Sequence, residues 1–261
     1  MTKPEKKDGT VGKALEILDL VAEVGRPIRF SELLANSPHP KATLYRFLQT
    51  LTNQGMLSYD MDRQTYSLGL RLVRLAHAAW GQSSLAPVAR RHLDLLAERT
   101  GETIHLAQMD NGQVLYVDKR NQFSTVEMFA AAGKVGPAYC TGVGKAILAF
   151  MEKPALERAL AQQAYLKYTP TTLTSPQALC AELDKIRAEG FAYDREEHEP
   201  GIICIAAPIR SGGNRVIGAL SVTTTKEKHT LKELDDFRPI LLKCVQDIGD
   251  EAKAWQFPVQ S

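Results

Sequence analysis

Apolar residues recur three and four positions apart between Gly9 and Gly25, a spacing that predicts an amphipathic helix ending at the second glycine. They are Val11, Ala14, Leu15, Leu18 and Val21. The residues before this pattern, 1–8, are polar and predict a loosely held arm. A short second helix is predicted over 31–35, with Ser31 as its N-cap.

A third predicted helix, ending at Gly55, has two faces of different kinds, because an apolar stripe lies opposite residues that can form hydrogen bonds. The stripe is Leu44, Phe47, Leu48 and Leu51, and the polar face with its flanks is Lys41, Ala42, Thr43, Tyr45, Arg46, Gln49 and Thr50. Alternating apolar and polar residues over 56–59 and 65–68, on either side of a turn that contains Arg63, predict a β-hairpin. Three short helices and a hairpin predict a winged helix-turn-helix over residues 9–68.

The polar face of the third helix predicts contact with double-stranded DNA, since this face of such a module enters the major groove. The predicted DNA-binding residues are Lys41, Thr43, Tyr45, Arg46, Gln49 and Arg63. Arg46 can donate to guanine edges and Gln49 to adenine, whereas Lys41, Thr43 and Arg63 are expected to contact mainly phosphates. The alternative is that these side chains are solvated polar positions on a small helical domain, and spacing alone does not choose between the two.

The remainder of the chain mixes helices and strands, which predicts a second domain of the α+β class. A helix over 69–79 carries too much apolar surface for a free linker, so we expect it to pack on a second copy of the chain. The further predicted helices are 85–99, 142–151, 155–161, 176–188 and 231–254. The predicted strands are 103–109, 114–119, 124–130, 202–209 and 216–223, the first two joined by a turn at 110–112.

Composition adds little to this picture, because 261 residues with 44% hydrophobic and 24% charged residues are ordinary for a globular protein. No apolar run reaches the roughly 18 residues of a membrane helix, and no signal-peptide pattern follows the Lys-rich start, so a cytoplasmic protein without a membrane partner is expected. Residues 1–80 hold 11 Lys and Arg against 8 Asp and Glu, a weak indication of a nucleic-acid partner. The four cysteines form no Cys-x-x-Cys pair, so buried free thiols and no metal site are expected.

The segment 139–146, YCTGVGKA, is similar to a phosphate-binding turn but fits neither nucleotide pattern. A Walker A loop needs Gly and Ser or Thr where the chain has Tyr139 and Ala146, and the dinucleotide fingerprint needs Gly or Ala where it has Ile147. The charged run over 194–199 fits no zinc-protease spacing, and no Gly-x-Ser-x-Gly motif occurs. No catalytic residue, metal or cofactor is therefore predicted, and the run is interpreted as a charge cluster at the surface or at a subunit contact.

Six segments in order carry a resemblance to a known family: VGKALEIL, PKATLYRFLQTLTNQGML, YSLGLRLVRLA, GKVGPAYCTGVGKAILA, GFAYDREEHEPGIICIAAPI and VIGALSV. On these segments the chain resembles the IclR family of bacterial transcriptional regulators over nearly its whole length. The resemblance implies a winged helix-turn-helix over 9–68, a linker helix over 69–83, a GAF-like α/β effector domain over 84–254 and a tail over 255–261. It also implies homodimers or homotetramers that bind partly palindromic operator DNA.

The family resemblance further implies an effector pocket around a small molecule. Carried over by motif position, the pocket residues are Met128, Gly142, Val143, Asp194, Cys204, Ser221 and Thr223. Gly142 and Val143 offer N–H groups at a helix N-terminus, which favours a carboxylate or a polarised carbonyl. Ser221 and Thr223 share one face of a strand and can add hydroxyl donors, and Asp194 can accept from a ligand hydroxyl.

The resulting expectation is a ligand-responsive DNA-binding regulator of a catabolic operon whose effector is a small organic acid or sugar acid. A repressor is expected, but an activator would use the same scaffold, so the sequence leaves that alternative open. The alternative is a small-molecule sensor or enzyme whose N-terminal module no longer binds DNA. Cys204 and Met128 also fit as ordinary core residues. Ala138 and Tyr139 replace a Leu-His pair found in many members, so the pocket mouth is expected to select a different ligand. Lys145 is expected to be solvated or ion-paired one turn into its helix.

Overall fold

A computed structural model describes residues 9–121, 128, 130–212 and 215–254. The predicted arm over 1–8, the predicted tail over 255–261 and most of the predicted strand over 124–130 lie outside these residues. The chain divides into two compact units between Gly81 and Gln82, and each unit is described by itself.

The first unit consists of short helices and a small antiparallel sheet in the order β1-β3-β2. Its elements are α1 (Gly9–Val24), β1 (Ile28–Arg29), α2 (Phe30–Asn36), α3 (Lys41–Asn53), β2 (Leu57–Asp60), β3 (Thr65–Leu68) and α4 (Leu70–Ser83), the last of which ends in the second unit. The hairpin of β2 and β3 turns through Gln64, which has a positive φ of 53°. The two-residue strand β1 completes the sheet and was not predicted, since two residues are too few to show alternation.

The core of the first unit contains the predicted apolar stripe of α3, all four residues of which are buried. The predicted helix before Gly25 is confirmed as α1, in which Ile17, Leu18 and Val21 are buried while Val11 and Leu15 remain 71% and 50% exposed. Helical spacing defines a stripe, but contact with α3 and β3 decides which edge of it is covered.

The prediction of Ser31 as the N-cap of the second helix was wrong. Helix α2 begins one residue before Ser31, at Phe30, and its N-cap is Arg29, which makes no side-chain cap bond.

The second unit is built around one antiparallel sheet of six strands in the order β6-β5-β4-β9-β8-β7. Its helices are α5 (Ala86–Thr100), α6 (Gly142–Ala149), α7 (Lys153–Gln162), α8 (Pro176–Glu189) and α9 (Arg238–Glu251), with 3-10 turns at Glu233–Phe237 and Ala252–Ala254. Its strands are β4 (Thr103–Asp110), β5 (Gln113–Arg120), β6 (Val135–Pro137), β7 (Ala192–Arg195), β8 (Ile202–Arg210) and β9 (Val216–Thr225). This architecture confirms the α+β class.

Each face of the large sheet has its own hydrophobic core. Along β8, Ile203 and Ile205 pack with α5 and α9, whereas Cys204 and Ala206 pack with α6 and α8. This alternation follows from the two-residue period of a strand and explains why β8 is apolar throughout. The candidate ligand residues lie on the α6 face.

Three further predictions for the second unit need correction. The edge strands β6 and β7 were missed, being only three and four residues long. The single last helix predicted over 231–254 is broken, because Pro239 has no N–H and is tolerated only in the first turn of α9. Cys140, Cys204 and Cys244 are buried free thiols as expected, but Cys180 is exposed.

Within the described ranges, no helix combines the length and apolar character needed to cross a membrane.

Candidate functional site

The outer face of α3 presents the predicted DNA-binding residues to solvent. Exposed among them are Lys41, Tyr45, Arg46, Gln49 and Arg63. Thr43 is half-buried. The Gln49 amide donates to the Tyr45 hydroxyl at 3.1 Å, so these two side chains lie along one ridge of the helix. Arg63 lies in the wing turn, where its backbone N–H donates to the Asp60 side chain at 3.0 Å.

Beside this face runs an open groove of about 800 Å³ between the start of α2, the start of α3 and the wing. Its lining residues are Arg29, Phe30, Ser31, Lys41, Ala42, Tyr45, Tyr59, Gln64 and Tyr66. The contributions of Arg29, Tyr59, Gln64 and Tyr66 to this groove were not predicted from the sequence. The rings of Tyr59 and Tyr66 lie 4.8 Å apart, and a tyrosine in each wing strand was the available signal. A groove with two cations at its edge and aromatic walls suits a sugar–phosphate backbone.

In the second unit, all seven predicted ligand residues line one small cavity on the α6 face of the sheet. The full lining is His105, Tyr116, Met128, Ala130, Thr141, Gly142, Val143, Asp194, His198, Glu199, Ile202, Cys204, Ser221 and Thr223. The cavity has a volume of about 30 Å³, which is room for one or two water molecules. An organic acid therefore enters only if the lining moves.

Strand register brings the polar lining together from distant parts of the chain. Asp194 on β7 lies opposite Cys204 on β8, which lies opposite Thr223 on β9. Ser221, which lies two residues before Thr223 on β9, is opposite His105 on β4. The hydroxyl oxygens of Ser221 and Thr223 are 3.0 Å apart, so the two predicted donors do face the same way.

The first turn of α6 closes the cavity from above the sheet. Thr141 occupies the N-cap position, but its hydroxyl donates to the Pro137 carbonyl at 2.8 Å and caps no helix N–H. The first N–H groups of α6, at Gly142 and Val143, therefore have no side-chain acceptor from the cap residue, and they carry the positive end of the helix dipole.

The glycines of this turn are explained by packing rather than by room for a ligand. A Cβ on Gly142 would lie 2.4 Å from the Cys204 sulfur, and one on Gly144 would lie 2.3 Å from the Ala138 carbonyl oxygen. Because these two residues have no side chain, α6 packs directly on β8 and on the segment that precedes α6 in the chain. Substitution of Gly142 would disturb this packing whatever its effect on a ligand.

His105, Tyr116, His198 and Glu199 are cavity residues that sequence analysis missed. The pKa of His105 is lowered to about 3, chiefly by burial and secondly by the positive charge of Lys119, while the Ala130 carbonyl and Glu199 act in the opposite direction. The imidazole is therefore neutral at neutral pH. A lone histidine in the apolar strand β4 was the only signal, and such a residue is usually part of the core.

Asp194 is an acidic residue of the cavity whose pKa is strongly raised. Burial raises its pKa to about 7; Lys145 opposes this shift, and the Glu197 carboxylate adds to it. The Asp194 Oδ1 also accepts from the Glu197 backbone N–H at 2.8 Å. At neutral pH this carboxyl group is partly protonated and can both donate and accept.

Lys145, one turn into α6, is wholly buried, so the expectation of a solvated side chain was wrong and that of an ion-paired one is confirmed. Its Nζ donates to the Glu197 carboxylate and lies 3.9 Å from Glu182 on α8. Arg195 donates to Glu182 at 2.6 Å. The ion pair of Lys145 with Glu197 thus joins α6 to the loop after β7.

The charged run over 194–199 is only in part the surface cluster that the sequence predicted, and the alternative of a subunit contact stays a prediction. Asp194 and Glu197 are buried, whereas Glu196 forms an ion pair at the surface with Lys226 at 2.7 Å. The hydroxyl of Thr172 donates to the Glu197 carbonyl at 2.6 Å and so fixes the loop over the cavity. Among the residues with described positions, no group of three or more His, Cys, Asp or Glu could hold a metal ion.

Comparison with known proteins gives two matching family models. The IclR helix-turn-helix domain matches residues 10–61, and the bacterial transcriptional regulator IclR C-terminal domain matches residues 77–250. The chain belongs to the IclR family. Members of the IclR family are DNA-binding transcriptional regulators, and this protein is one of them.

Individual IclR-family relatives align over most of their length. The HTH-type transcriptional regulator XynR of Escherichia coli strain K12 is 32% identical over 229 residues, which make up 88% of this chain and 91% of XynR. The crystal structure of the Thermotoga maritima IclR is 28% identical and covers 94% of this chain and 98% of its own, with a TM-score of 0.75. An IclR homologue from Microbacterium hydrocarbonoxydans, solved with 4-hydroxybenzoate, has a TM-score of 0.81 at 23% identity over 94% and 100% of the two chains, a likeness of fold.

Proposed function

We propose that this IclR-family protein is a ligand-responsive repressor of a catabolic operon, released from operator DNA by a small organic acid or sugar acid bound in its second unit. The observation that carries the proposal is the polar cavity at the uncapped start of α6, lined by all seven residues expected to bind an effector. As a DNA-binding repressor, the protein acts in the cytoplasm.

On the ligand side, the proposal rests on matching chemistry. The N–H groups of Gly142 and Val143 suit a carboxylate, while Asp194, Ser221 and Thr223 suit hydroxyl groups. A relative with the same fold was solved with 4-hydroxybenzoate, which is an acid with one hydroxyl group. Because the cavity holds only about 30 Å³, the ligand must favour another arrangement of its lining. That differential affinity is what allows a ligand to change DNA binding.

On the DNA side, Arg46 and Gln49 are proposed to contact base edges from the middle of α3, and Thr43 and Tyr45 to contact the backbone beside them. Lys41 at the start of α3, together with Arg29 and the wing residue Arg63, is proposed to bind phosphates on either side of the helix. The tyrosine-walled groove between them is proposed to follow one strand of the duplex.

Two copies of the chain are proposed to bind the operator together. Large apolar side chains remain exposed on α1 and α4, including Val11, Leu70 at 84% and Val73 at 65%. Exposed large apolar side chains in this number favour an interface, and a second copy is proposed to cover them with matching apolar surface. A dimer presents two α3 helices to the half-sites of a partly palindromic operator.

The deciding experiment measures binding of the full-length protein to the DNA upstream of its own gene by fluorescence anisotropy at several salt concentrations. We expect affinity to fall steeply with salt, because phosphate contacts release counterions, and Arg46→Ala to weaken binding. Arg158→Ala, an exposed arginine of α7, is the control of equal charge. Binding that is absent from every fragment, or equal in both variants, would leave the alternative of a sensor or enzyme with an inactive DNA-binding module.

A further inference from the structure

The cavity of the second unit contains a buried nitrogen for which the described residues offer no hydrogen-bond partner. His105 is 2% exposed, and its Nδ1 lies 3.1 Å from the Thr223 hydroxyl and 3.5 Å from that of Ser221. Its Nε2 is fully buried and makes no hydrogen bond to any residue that the structure describes. The Ala130 carbonyl is near enough to the ring to raise its pKa as a weak acceptor, but within the described part of the chain no group meets full hydrogen-bond geometry at Nε2.

An unpaired buried nitrogen of this kind calls for an explanation, because nearly all buried polar groups in native proteins are hydrogen-bonded. Burial costs free energy unless a partner is supplied, and His105 lines a cavity into which several other polar side chains are also brought. A bound molecule that reaches Nε2 would recover that cost. The histidine is therefore a second indication of a ligand, independent of the uncapped start of α6.

The charges around the cavity favour different ligand groups at two places, a carboxylate at the start of α6 and an uncharged polar group at His105. The imidazole of His105 is neutral, and the acidic side chains Asp194 and Glu199 line the same cavity, so a ligand carboxylate gains little near them. The N–H groups of Gly142 and Val143 are the favourable place for a carboxylate. Nε2 is left to recognise a different, uncharged polar group.

The two tautomers of the ring indicate which group that is. Hydroxyl groups both donate and accept, so Ser221 and Thr223 satisfy Nδ1 with or without its proton. Nε2 is accordingly a donor in one tautomer and an acceptor in the other. A ligand hydroxyl pairs with both tautomers, whereas a keto or carboxylate oxygen pairs with only one.

We propose that His105 recognises a hydroxyl group of the effector through Nε2 while the start of α6 holds its carboxylate, so that the effector is a hydroxycarboxylate. This assignment rests on the proposed function only in placing the effector in this cavity. His105 is then a specificity-determining residue, because an acid without the hydroxyl leaves Nε2 buried and unpaired.

The test compares acids that differ by one hydroxyl: glycolate with acetate, lactate with propionate, and 4-hydroxybenzoate with benzoate. Dissociation constants are measured by calorimetry on the full-length protein. For at least one pair, we expect the wild type to bind the hydroxy acid about tenfold or more tightly than its partner. His105→Phe should bring the two constants of that pair within about threefold of each other, and His105→Gln, which keeps a donor and an acceptor, should restore part of the preference.

His92→Phe is the matched control, because His92 belongs to α5 on the opposite face of the sheet and pairs with Glu251. It should keep the wild-type preference. If His105→Phe is unfolded by circular dichroism, the better tolerated His105→Gln decides, and it should then bind the hydroxy acid less tightly than the wild type does. A preference that is absent from the wild type, or unchanged in the His105 variants, would overturn the assignment, as would the failure of all six acids to bind.

The same samples separate this assignment from the proposed function. If a hydroxy acid binds with a His105-dependent preference but leaves operator affinity unchanged, the ligand-responsive repressor fails and the role of His105 stands. If the acids change operator affinity without any hydroxyl preference, the regulator stands and the role of His105 is refuted.

Discussion

The buried ion pair between Lys145 and Glu197 should contribute strongly to the stability of the second unit. Lys145→Met removes a wholly buried cation and leaves two carboxylates, Glu197 and Glu182, near one another. Breaking a buried pair by removing one partner costs about 3–5 kcal/mol, because the remaining charge stays buried without compensation. Arg195 lies 2.6 Å from Glu182 and 3.9 Å from Glu197, so it compensates in part and we expect about 3 kcal/mol.

The loss is measured as a change in the free energy of unfolding by urea denaturation followed by far-ultraviolet circular dichroism. The double variant Lys145→Met/Glu197→Gln removes both charges, and we expect it to recover about 1–2 kcal/mol of the loss. Lys243→Met is the matched control, because Lys243 forms an exposed pair with Asp247, and its denaturation midpoint should not change measurably. A loss below about 1 kcal/mol for Lys145→Met, or a double variant less stable than the single one, would refute the argument that charge burial dominates here.

Three further predictions concern the DNA surface and the cavity. Arg46→Ala should weaken operator binding by about 1–3 kcal/mol with little effect on unrelated DNA, and equal losses on both would contradict base contact. Gly142→Ala should destabilise the protein in thermal melts by about 1–3 kcal/mol through its clash with Cys204, and adding Cys204→Ala should reverse part of this; an unchanged melting temperature in the single variant would exclude the clash. Between about pH 4 and 6.5, the raised pKa of Asp194 makes stability fall as pH rises, while the lowered pKa of His105 makes it rise. Asp194→Asn removes the falling contribution, so the free energy of unfolding measured in urea should increase with pH more steeply than in the wild type, by up to about 1.4 kcal/mol per pH unit. An unchanged dependence on pH would show that Asp194 ionises normally.

Local pattern was enough to predict most of the elements, because helix and strand periods are properties of neighbouring residues. The stripe of α3 was predicted residue by residue, and the β4–β5 turn was predicted from Asn111 and Gly112, which have positive φ values of 46° and 77°. The failures were short strands and helix edges, such as β7 and the cap of α2, where few residues carry the pattern.

The cavity is different, because its residues come from strands far apart in the chain. The family resemblance supplied Asp194, Cys204, Ser221 and Thr223, but nothing local to β4 distinguishes His105 from an ordinary core histidine. Its place beside the two hydroxyls exists only once β4 pairs with β9 in register.

The glycine-rich turn at the start of α6 shows the same division. Sequence alone excluded a nucleotide loop, since both phosphate-binding patterns fail in their spacing. Only the tertiary structure decided that Gly142 is needed for contact with Cys204 and that Lys145 is buried against Glu197. Spacing along the chain determines which side chains share a face, whereas burial and partners depend on the segments that pack against that face.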